Sequence, residues 1–384
     1  MLIQVGPALH HSDQLVVDLG QLGFVLDLLD ELGVKHSAPG PGDQDELLGL
    51  ARLRDLTEAD GSDLEVGDVL AVLRQQAAAR RDGFIPPMGR NRVVEAVIGD
   101  GHKPMALGEV GSSGHKPMAG ADPQPVDASQ LPDVSMIAAD AGKGVHVGLV
   151  DTPVPPVRPG TPDNPLPYRA GHGEFVASLI RRQAPAAEVT TEGALDPETG
   201  RADSWDIARA ILRLVTTGQL DILNLSLGCY TLDGPPLVMT RAIERLGDRV
   251  LVIAAAGNHG DFAQLAGGRT ARSGSWPAAI PPVIAIGAAE DDGTTASFSP
   301  KLSWVSCTAP GVGVVGSYLT GEVRTSTGDV RFDGLARWSG TSFAAATVSG
   351  AVAARTVPGS VTPRQALAGL LAEGTLVRPF AEAR

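Results

Sequence analysis

Gly340-Thr341-Ser342 stands immediately before a run of small residues, 343–350, and reads as a serine at the mouth of a buried helix. A neutral serine hydroxyl attacks a carbonyl poorly. It needs a base to take its proton, a group that orients the base, and donors for the oxyanion that forms on attack. Three upstream segments carry those residue types. Residues 147–152 (VGLVDT) are an apolar run closing on the carboxylate of Asp151, and residues 171–176 (GHGEFV) place His172 at a helix start. Residues 251–258 (LVIAAAGN) end on the side-chain amide of Asn258. In this assignment His172 is the general base and Asp151 fixes its tautomer and stabilises the transient imidazolium. Asn258, with the backbone N–H of Ser342, receives the oxyanion. Taken alone, the GTS triplet would also serve as an ordinary helix cap, and Asp151 as the turn residue that ends a strand.

The order Asp, His, Asn, Ser and the words around them resemble the subtilisin-like serine peptidase family, over residues 134–372. GTS at 340–342 and AAAGN at 254–258 carry most of the likeness, supported by NLSLG at 224–228, ASFSP at 296–300 and TAPG at 308–311. The resemblance implies hydrolysis of peptide bonds through an acyl-enzyme, with Ala255-Ala256-Gly257 as one wall of the pocket for the side chain before the cut bond. It also favours His172 over its rival His259, because GHG followed by Phe175-Val176 is similar to the family's helix start. Departures are visible. Pro153 stands where the family usually has glycine, HGEFV replaces HGTHV, and Ala346-Thr347 replace the usual proline and histidine. None removes a triad residue. Asp151 and His172 are 21 residues apart with a proline-rich run at 153–167 between them, so the expectation is altered rim geometry around an intact core.

The elements that must position these groups follow from periodicity. From about residue 134 apolar strands alternate with helices, the pattern of an α/β fold with a parallel sheet and helices on both faces. Strands are expected at 145–150, 222–227, 250–255 and 283–288, and helices at 203–215, 237–246 and 363–371. Asp151, Asn258 and the SLG word then sit at or beyond strand C-terminal ends, the edge where open parallel sheets bind ligands. An extended peptide can pair with the backbone of Ser226-Leu227-Gly228 as an added strand.

Three regions are expected: a smaller helix-rich N-terminal domain at 1–98, a linker at 99–133, and the peptidase domain at 134–384. In the first, Leu15, Leu19, Leu22, Leu26 and Leu29 recur at helical spacing, with further helices expected at 45–56 and 67–81 and a strand at 92–98. By resemblance this region would be a propeptide that inhibits the site intramolecularly; a regulatory or recruiting domain fits the sequence equally. The linker repeats GHKPMA at 101–106 and 114–119 between prolines and glycines.

Composition bounds the remainder. The 384 residues are 43% hydrophobic and 20% charged, an ordinary globular balance. The net charge of −13 argues against nucleic acid as a partner. No apolar run of eighteen residues suggests a membrane span, and no secretory signal is read at the N-terminus. Two cysteines, Cys229 and Cys307, are too few for a disulfide framework, and both points fit a cytoplasmic setting. No acidic cluster has calcium spacing, so no metal or other cofactor is expected. The reading is a serine endopeptidase acting on peptide or protein substrates, with a specialised intracellular processing role. A peptide ligase or macrocyclase using the same acyl-enzyme, or an inactive peptide-binding relative, are the alternatives.

Overall fold

A computed structural model describes residues 2–5, 8–97, 122–154, 158–260 and 272–377. At its centre lies a six-stranded, wholly parallel sheet in the order Glu188–Gly193, His146–Asp151, Ile222–Leu225, Leu251–Ala255, Ile284–Ala289 and Cys307–Pro310. Its four inner strands are buried along almost all of their length because both faces are covered, whereas the edge strand Glu188–Gly193 is polar and largely exposed. Helices His172–Gln183, Thr341–Arg355 and Pro363–Ala372 pack on one face through Phe175, Ile180, Phe343, Val348 and Leu367. Ser204–Thr217 and Leu237–Leu246 pack on the other through Trp205, Ile211, Val238 and Ile243.

Every strand and helix expected in this part is present to within a few residues at its ends. The expected strand 222–227 divides into Ile222–Leu225 and Leu227–Tyr230. The long antiparallel hairpin Val314–Thr325 with Gly328–Trp338 had not been expected; it delivers the chain to Gly340 and Ser342.

The N-terminal region is built differently from the expectation of three helices. Leu15 lies in a strand, Ala8–Asp18, and the first helix is Leu22–Glu31. Leu15 and Val17 face one core while Val16 faces another, so the strand is buried on both sides and tertiary packing overrides the helical spacing. Asp18 ends it by accepting from the N–H of Gly20 at 3.0 Å. The expected helix at 45–56 is also corrected. Gly49 has φ +65°, a left-handed turn that glycine adopts without strain, and Leu50–Thr57 runs on as a strand. The third helix forms at Val66–Arg80 and the expected strand at Met88–Ala96. The GHKPMA repeats lie outside the described residues.

Strand Met88–Ala96 joins the two parts. It pairs antiparallel with Ala8–Asp18 on its N-terminal side of the molecule, and with Leu227–Tyr230 and Arg201–Asp203 beyond. The sheet face carrying Val16, Leu50 and Val94 rests on the cluster that contains Trp205 and Val238. Among the described residues no helix is long and apolar enough to cross a membrane.

Candidate active site

Asp151 ends the strand His146–Asp151, and its carboxylate is buried at the C-terminal edge of the sheet. Its Oδ1 accepts from the N–H of Thr152 at 2.7 Å and from Nδ1 of His172 at 2.7 Å. An ionised carboxylate only accepts, so the imidazole carries its proton on Nδ1 and presents Nε2 as an acceptor. That Nε2 is buried and makes no hydrogen bond. His172 is the first residue of its helix, held by Gly173, whose N–H donates to Thr152 Oγ1 at 2.9 Å. A side chain at Gly173 would place its Cβ 2.3 Å from the Thr152 carbonyl oxygen, so the close approach of helix to strand requires glycine there. Trp338 meets the imidazole edge-on at 5.9 Å between centroids, and Phe343 lies 5.6 Å away. Two residues on, burial pushes the Glu174 carboxyl above its usual range, against the opposing charge of Arg181.

Ser342 occupies the first turn of Thr341–Arg355 and is fully buried. Its hydroxyl makes no hydrogen bond to His172 Nε2 and lies 2.7 Å from the carbonyl oxygen of Val97 and 3.0 Å from that of Ser226. Asn258 aims at the same Val97 oxygen, its Nδ2 at 3.2 Å. The orientation of that amide is fixed from behind. Its Oδ1 accepts from the N–H and the hydroxyl of Thr341, both at 3.0 Å, leaving the NH2 to face the cleft. Thr341 Oγ1 in turn accepts from the N–H of Gly257 at 3.1 Å.

Asp151 and His172 are thus in direct contact, and Ser342 and Asn258 converge on one carbonyl. That carbonyl belongs to the chain itself. Residues 93–96 run as a strand between Arg201–Asp203 and Leu227–Tyr230, with Val97 next: Glu95 lies opposite both Arg201 and Gly228, and Ala96 opposite Leu227. The N–H of Ala96 donates to Gly200 O at 2.8 Å, and that of Val97 to Ser226 O at 3.0 Å. Ser226, Leu227 and Gly228 therefore pair with an extended segment of the same chain. Ala255 and Ala256 are buried at the end of their strand beside Asn258.

His259, the rival base, is engaged elsewhere. Its Nδ1 lies 3.1 Å from the Tyr230 hydroxyl and its Nε2 2.9 Å from the Ser273 carbonyl. Cys229 is buried and its thiol is pushed up to about 12 by that burial, as suits an inert side chain. Neither cysteine is in a disulfide.

Sequence reasoning missed four contributors: Thr341, Thr152, the strand Arg201–Asp203, and Val97. The first two adjoin residues that were identified and could have been read as their supports. Val97 closes the strand expected at 92–98, but nothing local says which carbonyl of that strand reaches a serine 245 residues away.

The subtilase family model matches residues 142–373. Subtilisin E of Bacillus subtilis (strain 168) is 28% identical over 232 residues, 55% of each chain. A thermophilic serine proteinase of Bacillus sp. (strain AK1) is 33% identical over 193 residues, 47% of this chain and 41% of that one. The chain spans about half the length of these curated relatives. Among solved structures, fervidolysin from Fervidobacterium pennivorans, a keratinolytic enzyme related to subtilisin, aligns with 90% of this chain and 54% of its own. The TM-score is 0.57 at 17% identity, a likeness of fold.

Proposed function

Because the chain belongs to the subtilase family, we propose that it is a serine endopeptidase whose Asp151, His172 and Ser342 act as nucleophilic triad and whose Asn258 is an oxyanion donor. The observation that carries this is the shared target of Ser342 Oγ and Asn258 Nδ2, a peptide carbonyl held in an added strand. Rotation of the hydroxyl from its carbonyl contacts toward His172 Nε2 readies it for attack. The bond from Oγ to the carbonyl carbon then forms as Nε2 takes the proton, and Asp151 stabilises the imidazolium. Charge develops on the carbonyl oxygen facing Asn258 Nδ2. His172 returns its proton to the leaving amine as the C–N bond breaks, and water repeats the sequence on the ester.

The same contact supports intramolecular inhibition. Residues 8–97 form a folded body whose last strand fills the cleft, and the Val97 carbonyl lies where the carbonyl of a cut bond would lie. The function that follows is a processing protease, released when its own N-terminal segment leaves and selective for extended segments that fit the same two-sided strand. Treating the full-length protein and its Ser342→Ala variant with a fluorophosphonate tests the assignment. Adduct mass on Ser342 alone, absent in the variant, is the expected result. An adduct that persists in the variant, or that maps to another residue, would refute the nucleophile.

A further inference from the structure

Resting on the reading of Ser342 as nucleophile, we propose that the pocket for the side chain before the cut bond is built for threonine, a small β-branched residue whose hydroxyl pairs with Ser275 Oγ. Val97 supplies the measure of the pocket. Its carbonyl is the one addressed by Ser342 and Asn258, and the residue is only 8% exposed.

One wall is Gly228. The Cβ position that Gly228 leaves empty lies 3.5 Å from Val97 Cγ2, 3.2 Å from the Trp276 carbonyl and 2.9 Å from Ser275 Oγ. The methyl of the occupant and the serine hydroxyl therefore border the same small space. Ser275 is fully buried and its Oγ has no hydrogen-bond partner. Its backbone is held by pairing with Tyr230 and by the N–H of Ala279 at 2.8 Å. A buried hydroxyl left unpaired is unfavourable, and a site containing one discriminates in favour of a ligand that can satisfy it.

A second wall, which the family resemblance assigns to Ala255-Ala256-Gly257, limits size. A Cβ on Gly257 would fall 2.7 Å from the Tyr230 hydroxyl and 2.8 Å from His259 Nδ1. Tyr230 belongs to the same strand as Gly228, and its hydroxyl reaches Gly257. His259 Nε2–H donates to the Ser273 carbonyl, which leaves Nδ1 to accept from Tyr230, and the pair is a braced, hydrogen-bonded stop. A phenylalanine or leucine would have to displace it. Threonine has the shape of valine with one methyl exchanged for a hydroxyl. The chain's own Val97 leaves Ser275 unsatisfied, which makes the N-terminal segment a weaker occupant than a threonine substrate and allows its displacement.

The test uses full-length protein with matched internally quenched octapeptides that differ only in the residue before the cut bond. Threonine should exceed valine in kcat/KM by about three- to tenfold, the size of one net buried hydrogen bond, with phenylalanine below both. Ser275→Ala should abolish the threonine advantage while retaining cleavage after valine, and Tyr230→Ala should raise cleavage after phenylalanine. Independently, Val97→Thr in the full chain should slow fluorophosphonate labelling of Ser342, because the segment is held more tightly. Valine equal to threonine, or a threonine advantage that survives Ser275→Ala, overturns the role of the hydroxyl; a preference for phenylalanine overturns the size limit. Labelling of Ser342 in the same samples separates the two readings. Labelled, active protein with another preference overturns this inference alone, whereas protein that neither labels, nor cuts any peptide, nor cuts itself overturns the peptidase reading with it.

Discussion

The carbonyl oxygen of Val97 lies 2.7 Å from Oγ of Ser342, so the last described residue of the N-terminal region touches the serine proposed as nucleophile. The contact spans 245 residues of sequence. It is also the end of a continuous ladder, since the strand that delivers Val97 pairs on one side with Leu227–Tyr230 and on the other with Arg201–Asp203. A strand held on both sides competes directly with any peptide that must use the same backbone groups.

Ala96→Pro is expected to loosen that ladder. The N–H of Ala96 donates to Gly200 at 2.8 Å, and proline has none to give. Ser342 in the variant should label with a fluorophosphonate faster than in the parent chain. An unchanged labelling rate would mean that the N-terminal strand does not control access.

Asn258→Ala removes the amide that faces the Val97 oxygen, and with it the acceptor for Thr341. Turnover on a cleaved peptide should fall about a hundred- to a thousandfold with KM little changed, the range seen when one such donor is removed from a member of this family. A KM effect without loss of kcat would assign Asn258 to binding instead.

Asp151→Asn tests the tautomer. An amide can donate to Nδ1 and stabilise the wrong protonation pattern, so kcat should drop by about four orders of magnitude while the fold persists, as established for the equivalent change in a triad protease. Circular dichroism alongside the kinetics distinguishes this from unfolding.

Gly173→Ala should be costly for a substitution of one methyl. The new Cβ would meet the Thr152 carbonyl oxygen at 2.3 Å, and the backbone must move. Overpacking of this kind costs about 1–3 kcal/mol, and because His172 precedes Gly173 the shift also displaces the base. Urea unfolding and kcat should both report the loss.

Acidification should weaken the N-terminal part through His10. Burial lowers its pKa, opposed by the hydrogen bond and charge of Glu65 and reinforced by the charges of Arg92 and Arg90. Its Nε2 is bonded to Glu65 at 2.8 Å while its buried Nδ1 has no partner for an added proton. The folded value lies below the unfolded one, so the unfolded chain binds the proton first. Stability is full above about 6.5 and falls as pH drops from there toward the folded value. In a Ser342→Ala background, which prevents self-cleavage, the melting temperature should drop more between pH 7.5 and 5.5 with His10 than with His10→Gln.

The catalytic part was legible because its signals are local. Apolar runs closing on Asp151 and Asn258, and a serine opening a small-residue helix, state both the element and the side chain it presents. The N-terminal region was not, because Leu15 opens a helically spaced leucine series yet lies with Val16 and Val17 in a strand with both faces buried, a fact set by the partner surface around Trp205. The site shows the same division. The roles proposed for Asp151, His172, Ser342 and Asn258 are suggested by their chemistry, whereas those proposed for Val97 and Ser275 arise only from where the folded chain brings them.

The central claim is tested most directly by incubating the full-length chain beside its Ser342→Ala variant and mapping new termini by mass spectrometry. The account predicts cleavage after Val97 in the parent chain and none in the variant. An intact parent chain whose Ser342 nevertheless labels, or the same cut in both proteins, would contradict it.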